Sequence, residues 1–391
     1  MGLDVERARQ DTPGCLTVAH LNNAGASLQP SAVTNAVIAH LQLESKMGGY
    51  EAAARAAANV ENTYAAVARL LSCATNEIAL VENATRAWDM AFYSMTFAPG
   101  DRILTTSAEY ASNAIALLHV AQRTGARVEV LNDDEHGQLD IADLARRLDH
   151  SVKLVAVTHV PTHGGLVNPA AEVGKLTRAA GVPFLLDACQ SVGQLPINVA
   201  EIGCDLLSAT GRKFLRGPRG TGFLYVATSL AEKLQPPFLD LHSATWTAPY
   251  RYTIAPGARR FETWEGNVAA KIGLGVAVDY ALGVGLEAIE RRVTELSELL
   301  RTRLSEHDGV TVKDHGETLC GIVTFSVDGI SSADVATQLR AASVNTSVTT
   351  AANSRFDPRA TQDLVRASVH YYNTAEEIDQ LCIALPVAAQ T

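Results

Sequence analysis

The chain has 391 residues, 47% hydrophobic and 19% charged, enough for a large core and, at this length, for more than one domain. A formal net charge of −10 and a pI near 5.6 argue against the basic face of a generic nucleic-acid binder. There is no run of roughly 18 apolar residues and no basic start leading into an apolar core, so neither a membrane span nor a secretory signal is expected. The six cysteines, Cys15, Cys73, Cys189, Cys204, Cys320 and Cys382, are scattered without a C-x-x-C pair. That pattern suits free thiols in a reducing cytoplasm, not a disulfide framework or a zinc site.

Residues 52–73, AAARAAANVENTYAAVARLLSC, combine strong helix formers with an apolar stripe and predict one helix. Ala84 and Thr85 of VENATRAWDM are expected to open another. RILTTS, SNAIALLHVAQRTG and RVEVLN then read strand, helix, strand, with Gly125 as the helix stop. KLVAVTHV, NPAAEVGKLTRAAG and PFLLDACQS repeat the pattern, with Gly181 as the stop. CDLLSAT and GFLYV add two short apolar strands. Strands alternating with helices predict an α/β fold whose mostly parallel sheet is covered on both faces. Beyond about residue 265 the pattern changes. A long helical stretch with breaks near its glycines is followed by IVTFSVDG, SSADVATQLRAAS and LVRASVHYYNTAEEIDQLCIAL, which predict a smaller α+β domain. The segments 41–53 and 242–252, carrying Tyr50, Trp246, Tyr250 and Tyr252, are expected to be loops whose aromatics pack at a subunit interface or hold a bulky ligand.

Ligands of open parallel sheets bind beyond the carboxyl ends of the strands. Asp187 ends PFLLD, Thr162 and His163 follow KLVAVTHVP, and Thr210, Arg212 and Lys213 follow CDLLSAT. A carboxylate behind four apolar residues is costly to bury unless it is paired. On its own Asp187 reads as a turn or a helix cap. Together with Lys213 at a neighbouring strand end it suits pyridoxal phosphate: the lysine bonds covalently to the cofactor, and the acid keeps the pyridine nitrogen protonated. Gln190 is placed to reach the ring oxygen. The helix start at Ala84 and Thr85, with Thr210 and Arg212, offers an anion site. His159 and His163 are spaced four apart, as a zinc pair on a helix would be, but HVPTH runs through a proline at a strand end, and no metal site is expected.

Taken together, LLDACQSVGQLPINVAEIGCDLLSATGRKFLRGPRGTGFLYV resembles the class V aminotransferases, the cysteine-desulfurase-like branch of fold-type-I pyridoxal phosphate enzymes. The resemblance continues in LNNAGASLQP, SAEYASN, RRFETWEGN and VRASVHYYNTAEEID and spans nearly the whole chain. It implies a seven-stranded large domain over 31–265 and a small domain over 266–391 that is joined by an arm of residues 1–30. It also implies a homodimer with shared active sites and an amino-acid substrate. Position by position, Lys213 carries pyridoxal 5'-phosphate, Asp187 pairs with its ring nitrogen and Gln190 contacts its ring oxygen. Tyr110 stands where desulfurases place a ring-stacking histidine. Ala84, Thr85, Thr210 and Arg212 hold the phosphate, Arg366 binds the substrate carboxylate as a fork, and Asn23 and Ala24 line the substrate pocket.

The chain departs from the desulfurase pattern in three places. The loop that carries their nucleophilic cysteine falls near VNTSVTTAANSRFD (344–357), which has no cysteine. Thr162 replaces a cofactor-contacting asparagine. Trp264, Glu265 and Gly266 replace the Gly-Thr that reaches the neighbouring subunit's phosphate. The cysteine-free loop and the RxSxHYYNTxEEID ending resemble a subgroup likened to isopenicillin-N epimerases and to lyases of cysteine conjugates in biosynthetic pathways, including antibiotic ones. The expected reaction is β-elimination from an S-substituted cysteine, with Lys213 as the α-proton base. Decarboxylation coupled to oxidative deamination, epimerisation and transamination are the alternatives within the cofactor class, and a non-enzymatic regulator is the alternative outside it.

Overall fold

The computed structural model describes residues 3–386; the first two residues of the expected arm and the last five of the expected small domain lie outside these. Seven strands make the main sheet: β1 (Ile78–Val81), β2 (Arg102–Thr105), β3 (Arg127–Val130), β4 (Val152–Thr158), β5 (Phe184–Asp187), β6 (Leu206–Thr210) and β7 (Gly222–Val226). Their spatial order is β1-β7-β6-β5-β4-β2-β3, and only β7 runs against its neighbours. β5, β6 and β7 are buried along their whole length, which is why they read as continuous apolar runs and not as alternating ones. Helices Ala111–Thr124 and Ala170–Ala180 end on Gly125 and Gly181, both left-handed, as the sequence predicts. The seventh strand, Ile78–Val81, escapes the sequence patterns, since four apolar residues alone do not distinguish strand from helix.

Four further strands, β8 (Val310–Val312), β9 (Ile322–Val327), β10 (Ser347–Thr349) and β11 (Leu364–Ser368), form an antiparallel sheet in the order β8-β9-β11-β10. The N-terminal segment joins this sheet's side of the molecule. Ala19–His20 pairs in parallel with Val344–Asn345, and the Leu21 carbonyl accepts from the Ser368 N–H at 2.7 Å. Helix Val268–Val284 packs on Ser31–Met47 and Ala57–Leu71, then bends by 79° at Gly285 into Leu286–Ser305, which packs on the small sheet. The packing of this helix pair thus changes over at Gly285.

Two local expectations are corrected. The single helix over 52–73 is two, Gly49–Arg55 and Ala57–Leu71, meeting at Ala56. No breaker residue marks the break; the first piece packs on Ser31–Met47 and the second on Val268–Val284, so tertiary packing overrides propensity. The segments expected to be loops are structured: 41–53 is helical apart from Gly48, and Ala244–Ala248 pairs with Arg251–Ile254 in a hairpin. Trp246, Tyr250 and Tyr252 are all exposed on this hairpin, and without a buried face it lacks the alternation that would reveal strands.

Candidate active site

The carboxyl ends of β4, β5 and β6 open into a cavity of about 290 Å³. Its floor is Asp187, the last residue of β5 and only 6% exposed. Asp187 Oδ1 accepts the Cys189 N–H at 3.0 Å, and Oδ2 accepts from Asn113 Nδ2 at 2.8 Å. Asn113 also donates to Glu109 Oε1 at 2.9 Å. Glu109 is a second buried carboxylate. Its Oε1 further accepts from the Tyr110 N–H at 2.8 Å and from the Thr158 hydroxyl, and its Oε2 accepts from Thr105 at 2.9 Å. Burial, together with the nearby Asp187 charge, lifts Glu109 from 4.5 to about 6 despite these donors. Glu109 and Asn113 form a layer that the sequence reading misses. Its one visible signal is an acid and an amide four apart at the start of a helix.

Lys213 lies in the turn after β6, on the cavity wall. Burial lowers its ammonium from 10.5 to about 8, with Arg212 and Arg366 adding to the effect against the opposing pull of Cys189 and Asp187. The turn is anchored from behind by Arg216, which has a left-handed φ of 61° and is 1% exposed. Arg216 donates to the Leu28 carbonyl at 2.8 Å, to the Tyr371 hydroxyl at 2.7 Å and to Thr12, and its guanidinium lies 4.5 Å from the Tyr372 ring centroid. Gly193, with φ +95°, lets the turn after β5 press against this loop, because a Cβ there would sit 2.5 Å from the Phe214 backbone.

One end of the cavity is built for an anion. Asn83 caps helix Ala84–Phe92 by accepting the Arg86 N–H at 2.8 Å, which leaves the N–H groups of Ala84 and Thr85 without helical partners at the cavity edge. Gly222 makes this possible: a Cβ there would meet the Asn83 carbonyl carbon at 2.7 Å and the Ala84 nitrogen at 2.9 Å. Arg212 donates to Thr210 Oγ1 at 3.1 Å and has no carboxylate partner among the described residues.

Arg366 on β11, 8% exposed, lies against Thr162, which lines the cavity. Its Nη1 donates to the Thr162 carbonyl at 3.3 Å and to the Thr162 hydroxyl, its Nη2 reaches Asn22 Oδ1 at 3.4 Å, and its buried Nε has no partner. Burial and Arg212 lower this guanidinium to about 10. A buried arginine without a carboxylate is costly, so the site asks for a carboxylate from outside the chain. Thr162 also accepts from Gln190 Nε2 at 3.2 Å, so it ties Gln190 to Arg366. Tyr110, 38% exposed, precedes helix Ala111–Thr124 and borders the cavity instead of the core.

Asn23 and Ala24, expected at the substrate pocket, are not among the residues lining this cavity. Asn23 is fully buried, with Nδ2 donating to the His20 carbonyl at 3.1 Å and the Ser368 carbonyl at 2.7 Å. Its neighbour Asn22 is the residue that touches Arg366. Ala24 contributes main chain, its carbonyl accepting from Gln190 Nε2 at 3.2 Å. Cys189, unassigned from sequence, lines the cavity, but burial and the adjacent Asp187 raise its thiol well above the usual range.

The site therefore combines a neutralisable amine, a doubly held carboxylate, an anion cradle and an unpaired arginine. The Aminotransferase class-V family model matches residues 19–381. A probable cysteine desulfurase of Methanothermobacter thermautotrophicus is 29% identical over 384 residues, 96% of each chain. The cysteine desulfurase of Thermococcus onnurineus, solved in its apo form, superposes with a TM-score of 0.91 at 27% identity over 98% of this chain and 97% of its own. A cystine C–S lyase solved with its product cysteine persulfide has the same fold, with a TM-score of 0.86 at 24% identity over 95% of this chain and 98% of its own.

Proposed function

Since the chain belongs to the class-V aminotransferase family, we propose that it is a pyridoxal phosphate enzyme that cleaves an S-substituted L-cysteine by β-elimination, yielding a thiol, pyruvate and ammonia. The residues fit the cofactor. The cradle of Ala84, Thr85, Thr210 and Arg212 suits a phosphate, Lys213 is an amine close to its neutral form, and Asp187 is held by two donors with its charge facing the cavity. The buried Gln190 Oε1 has no partner among the described residues and leaves a polar valence for a ligand. When bound, pyridoxal phosphate supplies an electron sink that weakens the bonds to the substrate's α-carbon.

Arg366 binds the α-carboxylate as a fork, Thr162 and Asn22 fix the orientation of that fork, and Tyr110 covers the open side of the cavity. Lys213 Nζ takes the α-proton, the Cβ–S bond breaks, and the sulfur leaves as a thiolate that is protonated on release. Hydrolysis of the remaining three-carbon fragment gives pyruvate and ammonia.

What distinguishes elimination from desulfuration is the absence of a sulfur acceptor. The segment 344–357 is structured as β10 and a short turn at Ala351–Asn353, and it contains no cysteine. The thiol that does line the cavity, Cys189, is held protonated, whereas persulfide formation needs a thiolate. The test is to incubate cofactor-loaded protein with S-substituted cysteines and identify all products by mass spectrometry. Thiol with pyruvate supports the proposal; alanine with an enzyme-bound persulfide from L-cysteine run in parallel, or carbon dioxide with an aldehyde that keeps the sulfur, overturns it.

A further inference from the structure

A second cavity, of about 200 Å³, lies beside the first and is lined by His163, Lys313, Thr349, Ser354, Arg359 and Leu364 among others. Its position follows from the small sheet's register. On β11, Leu364 and Arg366 are two residues apart and share a face, and their partners on β10 are Thr349 and Ser347. The second cavity therefore starts one side-chain pair along the strand from Arg366, a distance on the order of 7 Å. The two cavities also share a wall: Thr162, bonded to Arg366, borders the first, and its neighbour His163 borders the second and bonds to Thr349.

The second cavity is polar and its hydrogen-bonding capacity is unfilled. His163 Nε2 is buried without a partner, and so is Ser354 Oγ, in a residue only 4% exposed. Arg359 is matched by Asp357 at 2.9 Å and Asp133 at 3.0 Å. Lys313 is half-buried and has no carboxylate within ion-pair distance among the described residues, so its ammonium is the cation in the cavity that lacks a direct partner. His163 does not add to it, because burial and Arg366 lower its imidazole to about 4. Buried polar groups without partners are rare in folded proteins and call for a ligand or water that supplies them.

We propose that this cavity seats the far end of the substrate's S-substituent, and that it selects a substituent ending in a carboxylate, which bonds to Lys313, Ser354 and His163. The inference rests on the reading that Arg366 binds the α-carboxylate. The substrate is then a cysteine thioether with an anionic group at each end, one end on Arg366 and the other on Lys313, and with its sulfur between them. The segment 347–354, whose counterpart in desulfurases carries the sulfur acceptor, contributes Thr349 and Ser354 to the second cavity, so it binds substrate here.

The test compares S-(2-carboxyethyl)-L-cysteine with its neutral amide, S-(2-carbamoylethyl)-L-cysteine, on the holoenzyme. Dissociation constants come from the fast absorbance change of the bound cofactor, and pyruvate release is measured separately. The carboxylate should bind ~10-fold tighter than the amide, the size of one charge-assisted hydrogen bond. Lys313→Met should bring the two within about twofold while leaving S-methyl-L-cysteine unchanged, and Lys313→Arg should keep most of the preference. Equal affinity for the two conjugates in the unmodified protein overturns the proposal, as does a preference that survives Lys313→Met. The two readings fail separately. A charge preference without pyruvate release retains this cavity's role and refutes β-elimination. Pyruvate release without charge preference does the reverse.

Discussion

Replacing Glu109 by Gln isolates the energetic cost of the buried layer behind Asp187. Gln keeps the Oε1 acceptor that serves the Tyr110 N–H, Thr158 and Asn113, and its amide can donate to Thr105, whose hydroxyl reverses its role. The variant therefore removes a charge while preserving the bonds. Moving an acid from 4.5 to about 6 on folding means that the folded state disfavours the ionised form. Below about pH 4.5 the group is protonated in both states and costs nothing. As the pH rises through about 6 the unfolded chain ionises first, so stability falls, by about 2 kcal/mol once both states are charged. About 1 kcal/mol of that loss falls between pH 5 and 7.5. Equilibrium urea unfolding of apo protein at those two pH values should show Glu109→Gln gaining about this much relative to the unmodified chain as the pH rises. A difference that is independent of pH, or that shrinks with rising pH, would refute the assignment of Glu109 as a desolvated acid.

The other predictions concern the residues that face the cavity. Asn113→Ala removes the donor to Asp187 Oδ2 and should weaken pyridoxal phosphate binding ~10-fold, read by fluorescence titration of apo protein. Cys189→Ala should keep turnover within about threefold, since a protonated thiol is no nucleophile; loss of activity with a persulfide trapped on the unmodified protein would contradict this. Arg366→Ala should raise KM for the amino acid ~100-fold or more with cofactor affinity unchanged, measured by steady-state kinetics. With Lys213 at about 8, the rate of covalent cofactor uptake by apo protein should rise roughly tenfold from pH 7 to a plateau above about pH 9, tracking the neutral amine.

Which parts of this site could be read in the sequence follows from how each part is built. Asp187 and Lys213 were legible because one ends, and the other closely follows, an apolar run in an alternating strand–helix pattern, and a charge at such a place needs a reason. The cradle was legible because a helix start at Ala84 and Thr85 and a threonine and a cation beside Lys213 are local signals. Glu109 and Asn113 were not, because their meaning arises where β2, β4 and β5 converge, with donors from Thr105, Thr158 and the Asn113–Asp187 contact. Asn22 and Asn23 could not be told apart, since adjacent residues in an irregular segment face different ways and only the Ser368 pairing shows which points inward. Nothing in the sequence singles out Arg216, and only its aromatic surroundings reveal it as the buried anchor of the Lys213 turn.

The distribution of charge around the cavity explains why these separate residues act as one site. The chain as a whole carries −10, yet Arg212, Lys213 and Arg366 converge here: Arg212 and Arg366 lower the proton affinity of Lys213, and Arg212 lowers that of Arg366. Two buried carboxylates stand against them; Glu109 is turned away into its own layer of donors, and Asp187 faces the cavity, with the exposed Glu82 also on its lining. The unliganded arrangement is thus self-repelling at low dielectric, where opposing charges act most strongly. A phosphate against Arg212 and a carboxylate against Arg366 relieve that repulsion, and they leave the amine free to change its protonation. Each anion should then weaken the electrostatic pull on the other, because both draw on the same excess of positive charge. That coupling links occupancy of the cradle to recognition at Arg366 without any movement of the backbone.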